Sequence, residues 1–101
     1  KDGRVRRPQL GILIQNLSAH TGDPTDQGVH ISEVDPGSPA AAGGLKAGDV
    51  ITAVGQKEVR YIAQLFDALL SYYPGDEVEL TILRSSHSRT VTVVPGEAKP
   101  E

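Results

Sequence analysis

Only one stretch of this 101-residue chain can form a helix of any length, and it carries more apolar surface than one packing face needs. Residues 61–73, YIAQLFDALLSYY, are closed off by Pro74-Gly75, which cannot continue a helix. Projected at about 100° per residue, Leu65, Ala68 and Tyr72 fall together near Tyr61. Ile62, Phe66, Leu70 and Tyr73 fall on an adjacent sector, with Leu69 between the two. An ordinary surface helix needs a single stripe. Two readings are therefore open. Either every apolar residue packs into one core under a curved sheet, or the first sector seals the core and the second lines something concave.

The remainder of the chain reads as short strands. Leu10–Leu17, Val29–Val34, Val50–Val54, Val78–Arg84 and Thr90–Val94 are mostly rich in Val, Ile and Thr. Val78, Leu80 and Ile82 alternate with polar neighbours, as do Val91 and Val93, which is the period of half-buried antiparallel strands. SSHS predicts a polar hairpin turn, and SAHTGDPTDQG, residues 18–28, a longer polar loop. In DPGSPAAAGG, Ser38 caps a short helix, Pro39 fits its first turn, and Gly43-Gly44 ends it. Strands with one long and one short helix suggest a small bent antiparallel sheet capped by helices, an α+β domain.

PQLGILI raises a sharper question, because a glycine interrupts an apolar strand just after two arginines. If this strand lies beside the long helix, the space between them is a groove, and one wall is an open strand edge with unpaired backbone groups. Such an edge needs protection unless pairing is its purpose. An extended peptide can add there as a further strand, with Leu10, Ile12, Phe66 and Leu70 supplying pockets. Gly11 then permits a tight turn whose successive amides form a nest for an anion, the natural one being a peptide's C-terminal carboxylate. Arg6 or Arg7 adds positive potential, worth about 1 kcal/mol or less when exposed.

Composition removes several alternatives. The net charge of −3 and the absence of a basic stripe argue against nucleic acid, as does the scarcity of aromatic residues. There is no cysteine to form a disulfide or a thiolate metal site. No apolar run approaches membrane-spanning length. His20 and His87 fall in predicted loops and His30 on the outer face of a strand, with no ligand spacing and no GxSGG-like stretch. No catalytic residue, metal or cofactor is expected. Ser38 is not in a nucleophile elbow, and GGLKAGD lacks the Lys-Ser/Thr ending of a phosphate loop.

QLGI before an apolar strand, GVHISEVDPGSPAAAGGLKAGDVITAVGQKEV, the helix ending in YYPGD, and VELTILR together resemble a PDZ domain. More narrowly, they resemble the PDZ domains of HtrA/DegP-type serine proteases. The resemblance spans about Arg7 to Val94, and GSPAAAGGLKAGDVI is its most specific stretch. It implies a circularly permuted PDZ-like fold, a partial barrel of about five or six strands capped by one short and one longer helix. Residues 7–95 would be the domain, and 1–6 and 96–101 linkers into a longer protein. By position, the amides of Leu10, Gly11 and Ile12 would hold a ligand carboxylate, and Leu13 and Ile14 would continue the groove strand. Ile62, Phe66 and Leu69 or Leu70 would face it from the helix, and Arg7 would stand beside it.

Many animal PDZ domains place a histidine near the position of Ile62. Its replacement here implies an apolar preference two residues before the ligand's end. Two further departures are Gly55-Gln56 in place of Asn-Gly and Ala42-Gly43 in the short helix. The glycine there should weaken the helix by about 1 kcal/mol.

The resemblance implies a peptide-binding module that captures C-termini or extended hydrophobic segments of unfolded proteins. It would act as the recognition or regulatory domain of a periplasmic or envelope serine protease. The parent would be a homo-oligomer whose protease domain lies in the same chain, with any membrane tether in the missing part. Two other readings stay open. One is a structural or assembly domain whose groove is filled by its own tail or by a neighbouring domain. The other is a PDZ domain of a different protease class or of a secretion component.

Overall fold

The computed structural model describes residues 4–7, 11–70, 72 and 75–94. Seven strands and three helices follow one another as β1 (Arg4–Arg7), β2 (Ile12–Asn16), α1 (Leu17–Thr21), β3 (Val29–Val34), α2 (Pro39–Ala42), β4 (Val50–Val54), β5 (Lys57–Glu58), α3 (Ile62–Leu69), β6 (Val78–Arg84) and β7 (His87–Val93). The sheet is antiparallel throughout, in the order β1-β2-β3-β4-β6-β7, with the two-residue β5 pairing off β4. This is the small antiparallel sheet with helical caps that the alternation predicts. β3, β4 and β6 have the expected limits.

The sheet bends because its ladders are interrupted. Between Leu13 and Ile14 the β2–β3 register shifts, Leu13 facing Glu33 and Ile14 facing Ile31, so Ser32 is the extra residue. A second shift lies between Ile51 and Ala53 on β4. Bulges of this kind sharpen the local twist. The concave side holds Ile12, Ile14, Ile31, Ile51, Leu80 and Ile82, all buried, and Leu65 and Ala68 of α3 close over them. The first apolar sector of the helix is thus the one that seals the core.

Four elements differ from expectation. β1 forms on Arg4–Arg7, residues 4–6 falling in the expected linker and Arg7 at the expected start of the domain. The first groove strand ends at Asn16, because the chain turns at Leu17 into a short helix within the expected loop. β7 begins at His87 rather than Thr90, because Ser85 and Ser86 both adopt positive φ (53° and 67°) and make a two-residue turn. That geometry matches strand twist and carries the ladder up to Arg84–His87. α3 stops at Leu69, where the Leu70 amide caps it by donating to Phe66 and Asp67 carbonyls and the Tyr72 amide turns back to Leu69. Tyr73 and Pro74 lie outside the described residues.

Gly43 also has a different reason from the one its helix propensity suggests. A Cβ there would come within 2.6 Å of the Thr92 carbonyl oxygen and 2.8 Å of Val93 Cγ2. Glycine lets α2, whose start Ser38 caps by accepting the Ala41 amide at 3.2 Å, pack directly on β7.

The corner before β4 is held by charge. Buried Asp49 accepts from Arg84 Nε at 2.8 Å and from Arg84 Nη2 at 2.6 Å, and from the Lys46 amide at 2.9 Å. Arg84 Nη2 also donates to the Gly44 carbonyl. Burial pushes the Asp49 pKa up, but the Arg84 and Lys46 interactions outweigh it and hold the carboxyl below its ordinary value. A depressed aspartate stabilises the fold fully above about pH 4 and loses that contribution as pH falls through the folded-state pKa. Asp49→Ala should cost about 3 kcal/mol in urea unfolding at pH 7, since it leaves Arg84 without its partner. It should also flatten the acid limb of the stability–pH curve below about pH 4.

Candidate functional site

β2 and α3 are tied together at one end. The Asn16 side-chain oxygen, at the last residue of β2, accepts the backbone N–H of Ile62, the first residue of α3, at 2.7 Å. That amide is one of the four at a helix start with no partner inside the helix. Two further bonds brace the joint. The Leu17 amide donates to the Gly28 carbonyl (2.9 Å), and the Gly28 amide to the Arg60 carbonyl (2.8 Å). Gln64 Oε1 takes the amides of Arg60 and Tyr61 at 2.6 and 3.2 Å, fixing the first turn of α3. From this joint the strand and the helix lead away as two walls.

At the start of β2 stands Gly11, buried, with φ of 76°. Its carbonyl accepts the Asp35 amide at 2.8 Å. A Cβ at this position would overlap the Ser38 side chain that caps α2. Glycine is therefore required twice, by the left-handed turn and by close contact with a helix cap. The turn is the tight one that an amide nest needs.

The expected site residues separate into groups. Ile12 and Ile14 are fully buried in the core, so what they offer a ligand is backbone; the expectation that Ile12 also lines a pocket does not hold. Leu13 lies half-buried between them. Ile62 and Phe66 of the second helical sector, and Leu69 between the two sectors, are partly buried against the core. Leu70 is 81% exposed beyond the end of α3 and does not pack with them, because the helix has already capped. Leu10 lies outside the described residues. Arg7 lies in β1, opposite Ile12.

That placement corrects one expectation. The outer edge of β2 is not open over its length: β1 pairs with it antiparallel, Arg4 facing Gln15, Val5 facing Ile14, Arg6 facing Leu13 and Arg7 facing Ile12. Two groups escaped the sequence reading altogether. Asn16 is 46 positions from the amide it caps, so no local spacing announces it. β1 has a signal, the short Pro- and Gly-containing connector between RVRR and ILIQN, which is a hairpin pattern.

His20 and His30 stack at 3.7 Å between ring centroids where α1 meets β3, and His87 opens β7. Among the described residues no group of three or more His, Cys, Asp or Glu is placed to hold a metal ion. No helix among them is long and apolar enough to cross a membrane.

Known proteins share this arrangement. The family described as PDZ domain matches residues 8–94. A probable periplasmic serine endoprotease, DegP-like, of Halomonas elongata is 40% identical over 100 residues, covering 95% of this chain and 21% of the relative. The serine protease Do-like HtrA of Lactococcus lactis is 40% identical over 101 residues, covering 91% of this chain and 25% of the relative. The chain thus spans about a fifth to a quarter of these relatives. Among solved structures, the HtrA3 PDZ domain bound to the phage-derived ligand FGRWV superposes with a TM-score of 0.67 at 25% identity, covering 91% of this chain and 84% of that one. The HtrA-type protease AlgW with a decapeptide gives 0.73 at 25% identity, covering 91% and 30%.

Two substitutions test the construction of the site. Asn16→Ala should lower stability by about 1 kcal/mol, as loss of a helix cap does, and should broaden the amide signals of Ile62 to Leu65. Gly11→Ala should cost more, about 2–3 kcal/mol, because strain at positive φ and overlap with Ser38 add; thermal unfolding of both variants measures the difference.

Proposed function

The chain belongs to the PDZ domain family, and on that premise we propose that it binds extended peptides by strand addition along β2. The observation that carries this reading is the β2 edge itself, which accepts an antiparallel strand, Arg4–Arg7, as far as Ile12, next to the positive-φ Gly11. A peptide on the same edge takes its affinity from backbone bonds and its specificity from side chains set against Ile62, Phe66 and Leu69. Its C-terminal carboxylate meets the amides of Leu10, Gly11 and Ile12. The apolar Ile62 favours an apolar residue two before the ligand's end. The peptide-bound solved structures with this fold support the reading.

Relatives named as periplasmic serine proteases support a wider role. The parent of this domain is an HtrA-type serine protease of the bacterial envelope, homo-oligomeric, whose protease domain cleaves what the PDZ domain captures or is switched by that capture. Exposed hydrophobic C-termini of unfolded proteins are the natural ligands. In this division the present chain contributes no catalytic residue. Any membrane tether belongs to other parts of the parent.

The β1–β2 ladder favours a second reading, a structural domain whose edge is permanently filled. A titration of isotopically labelled protein separates them, using peptides of the form X-X-Φ-X-Φ (Φ apolar) as free acids and as C-terminal amides. The proposal expects the Gly11 and Ile12 amides to shift with the acid, and the amidated peptide to bind at least about tenfold more weakly, the worth of a charge-assisted hydrogen bond. Equal binding of acid and amide would remove the carboxylate role. Absence of binding by either would favour the filled edge.

A further inference from the structure

β2 has two edges. β3 takes one, and β1 takes the other over Ile12 to Gln15. β1 runs antiparallel to β2, with Arg7 toward the Gly11 turn and Arg4 toward the Asn16 joint. A peptide whose carboxylate meets the Gly11 turn must run in the same direction along the same residues. The two differ only at that end: a peptide stops there, whereas β1 continues through residues 8–10 into Gly11.

We propose that Arg4–Arg7 is a competitor built into the chain, docked on the β2 edge that a peptide needs and displaced when the peptide binds. This rests on the peptide-binding reading above and adds the regulation of that site. Three features carry it. The connector is short, so the strand is held at high effective concentration. The strand has only four residues and one apolar side chain, RVRR, so its hold per residue is weak and a longer apolar peptide can replace it. Three of the chain's ten basic residues lie in β1, while the whole chain has a net charge of −3, so the strand is a cationic segment on an acidic body. Apparent peptide affinity is then the intrinsic affinity multiplied by the fraction of time β1 is undocked.

The pentapeptide FGVWV, apolar two residues before its free C-terminal carboxylate, serves as probe, its binding to the 101-residue chain read by calorimetry. The variant V5P/R6P weakens β1 whichever way its amides face, since consecutive strand residues point their N–H groups to opposite sides and proline has none. If β1 is docked nine-tenths of the time, V5P/R6P binds about tenfold more tightly than the unmodified chain. A reversible lock gives the opposite sign. Arg6 and Leu13 face each other, and directly opposed Cα atoms lie within disulfide reach. The chain has no cysteine of its own. R6C/L13C should lose FGVWV binding at least about tenfold when oxidised and regain it on reduction. This second comparison uses one molecule as its own control and stands even if V5P/R6P folds poorly.

Equal affinities for the unmodified chain and a folded V5P/R6P would overturn the competitor and leave the peptide site standing. So would an oxidised R6C/L13C that binds as well as its reduced form. No binding by any form, reduced or proline-substituted, would overturn the peptide reading, and the competitor with it.

Discussion

Every backbone N–H and C=O along β2 must find a partner, and that requirement governs the functional side of this domain. A buried polar group without a partner costs about as much as a lost hydrogen bond or more. Ile12 and Ile14 root β2 in the core, so the strand cannot turn its backbone toward solvent by moving away. β3 satisfies one side of it. The other side is a vacancy in the fold's own hydrogen bonding, filled here by β1. A binding edge and an edge that needs covering are the same physical object. The difference lies in how tightly the cover is held.

The second wall is set by contacts that have no ligand in them. Asn16 fixes the start of α3 to the end of β2, and Gln64 fixes its first turn. Leu65 and Ala68 anchor the helix in the core, which leaves Ile62, Phe66 and Leu69 half-buried along the same cylinder. At the opposite end Gly11 shares its space with the Ser38 cap, so the turn that would hold an anion is braced by α2. The Asp49–Arg84 pair lies away from these walls and holds the corner that leads into β4.

What was legible in the sequence was what local physics encodes. Richness in Val, Ile and Thr placed β3 and β4 at their limits, and alternation placed β6 at its own, one face meeting the core and the other not. Ser38-Pro39 announced α2, and the first apolar sector of residues 61–73 announced Leu65 and Ala68 as the helix residues that seal the core. β1 carried no periodic signal, because Val5 is its only apolar residue and its stability comes from a partner; only the short connector to β2 pointed to it. Gly43 read as a helix defect because the reason for it is a carbonyl 49 positions later, that of Thr92. Leu70 read as a groove residue because periodicity continues past Leu69, whereas the hydrogen bonds of the cap do not. At the site, the positive φ of Gly11 was foreseeable and the Asn16 joint was not, being a contact between distant parts of the chain.

The most direct test is residue-resolved amide hydrogen exchange along β2, in the free protein and at saturating FGVWV. Alternate amides of β2 face β3 and the outer edge. The outward set should exchange faster than the inward set in the free protein, because a four-residue strand opens often, and should become as protected as the inward set when the peptide is bound. If the peptide binds while the protection of the outward amides stays unchanged, the ligand lies elsewhere and the β2 edge is not the site.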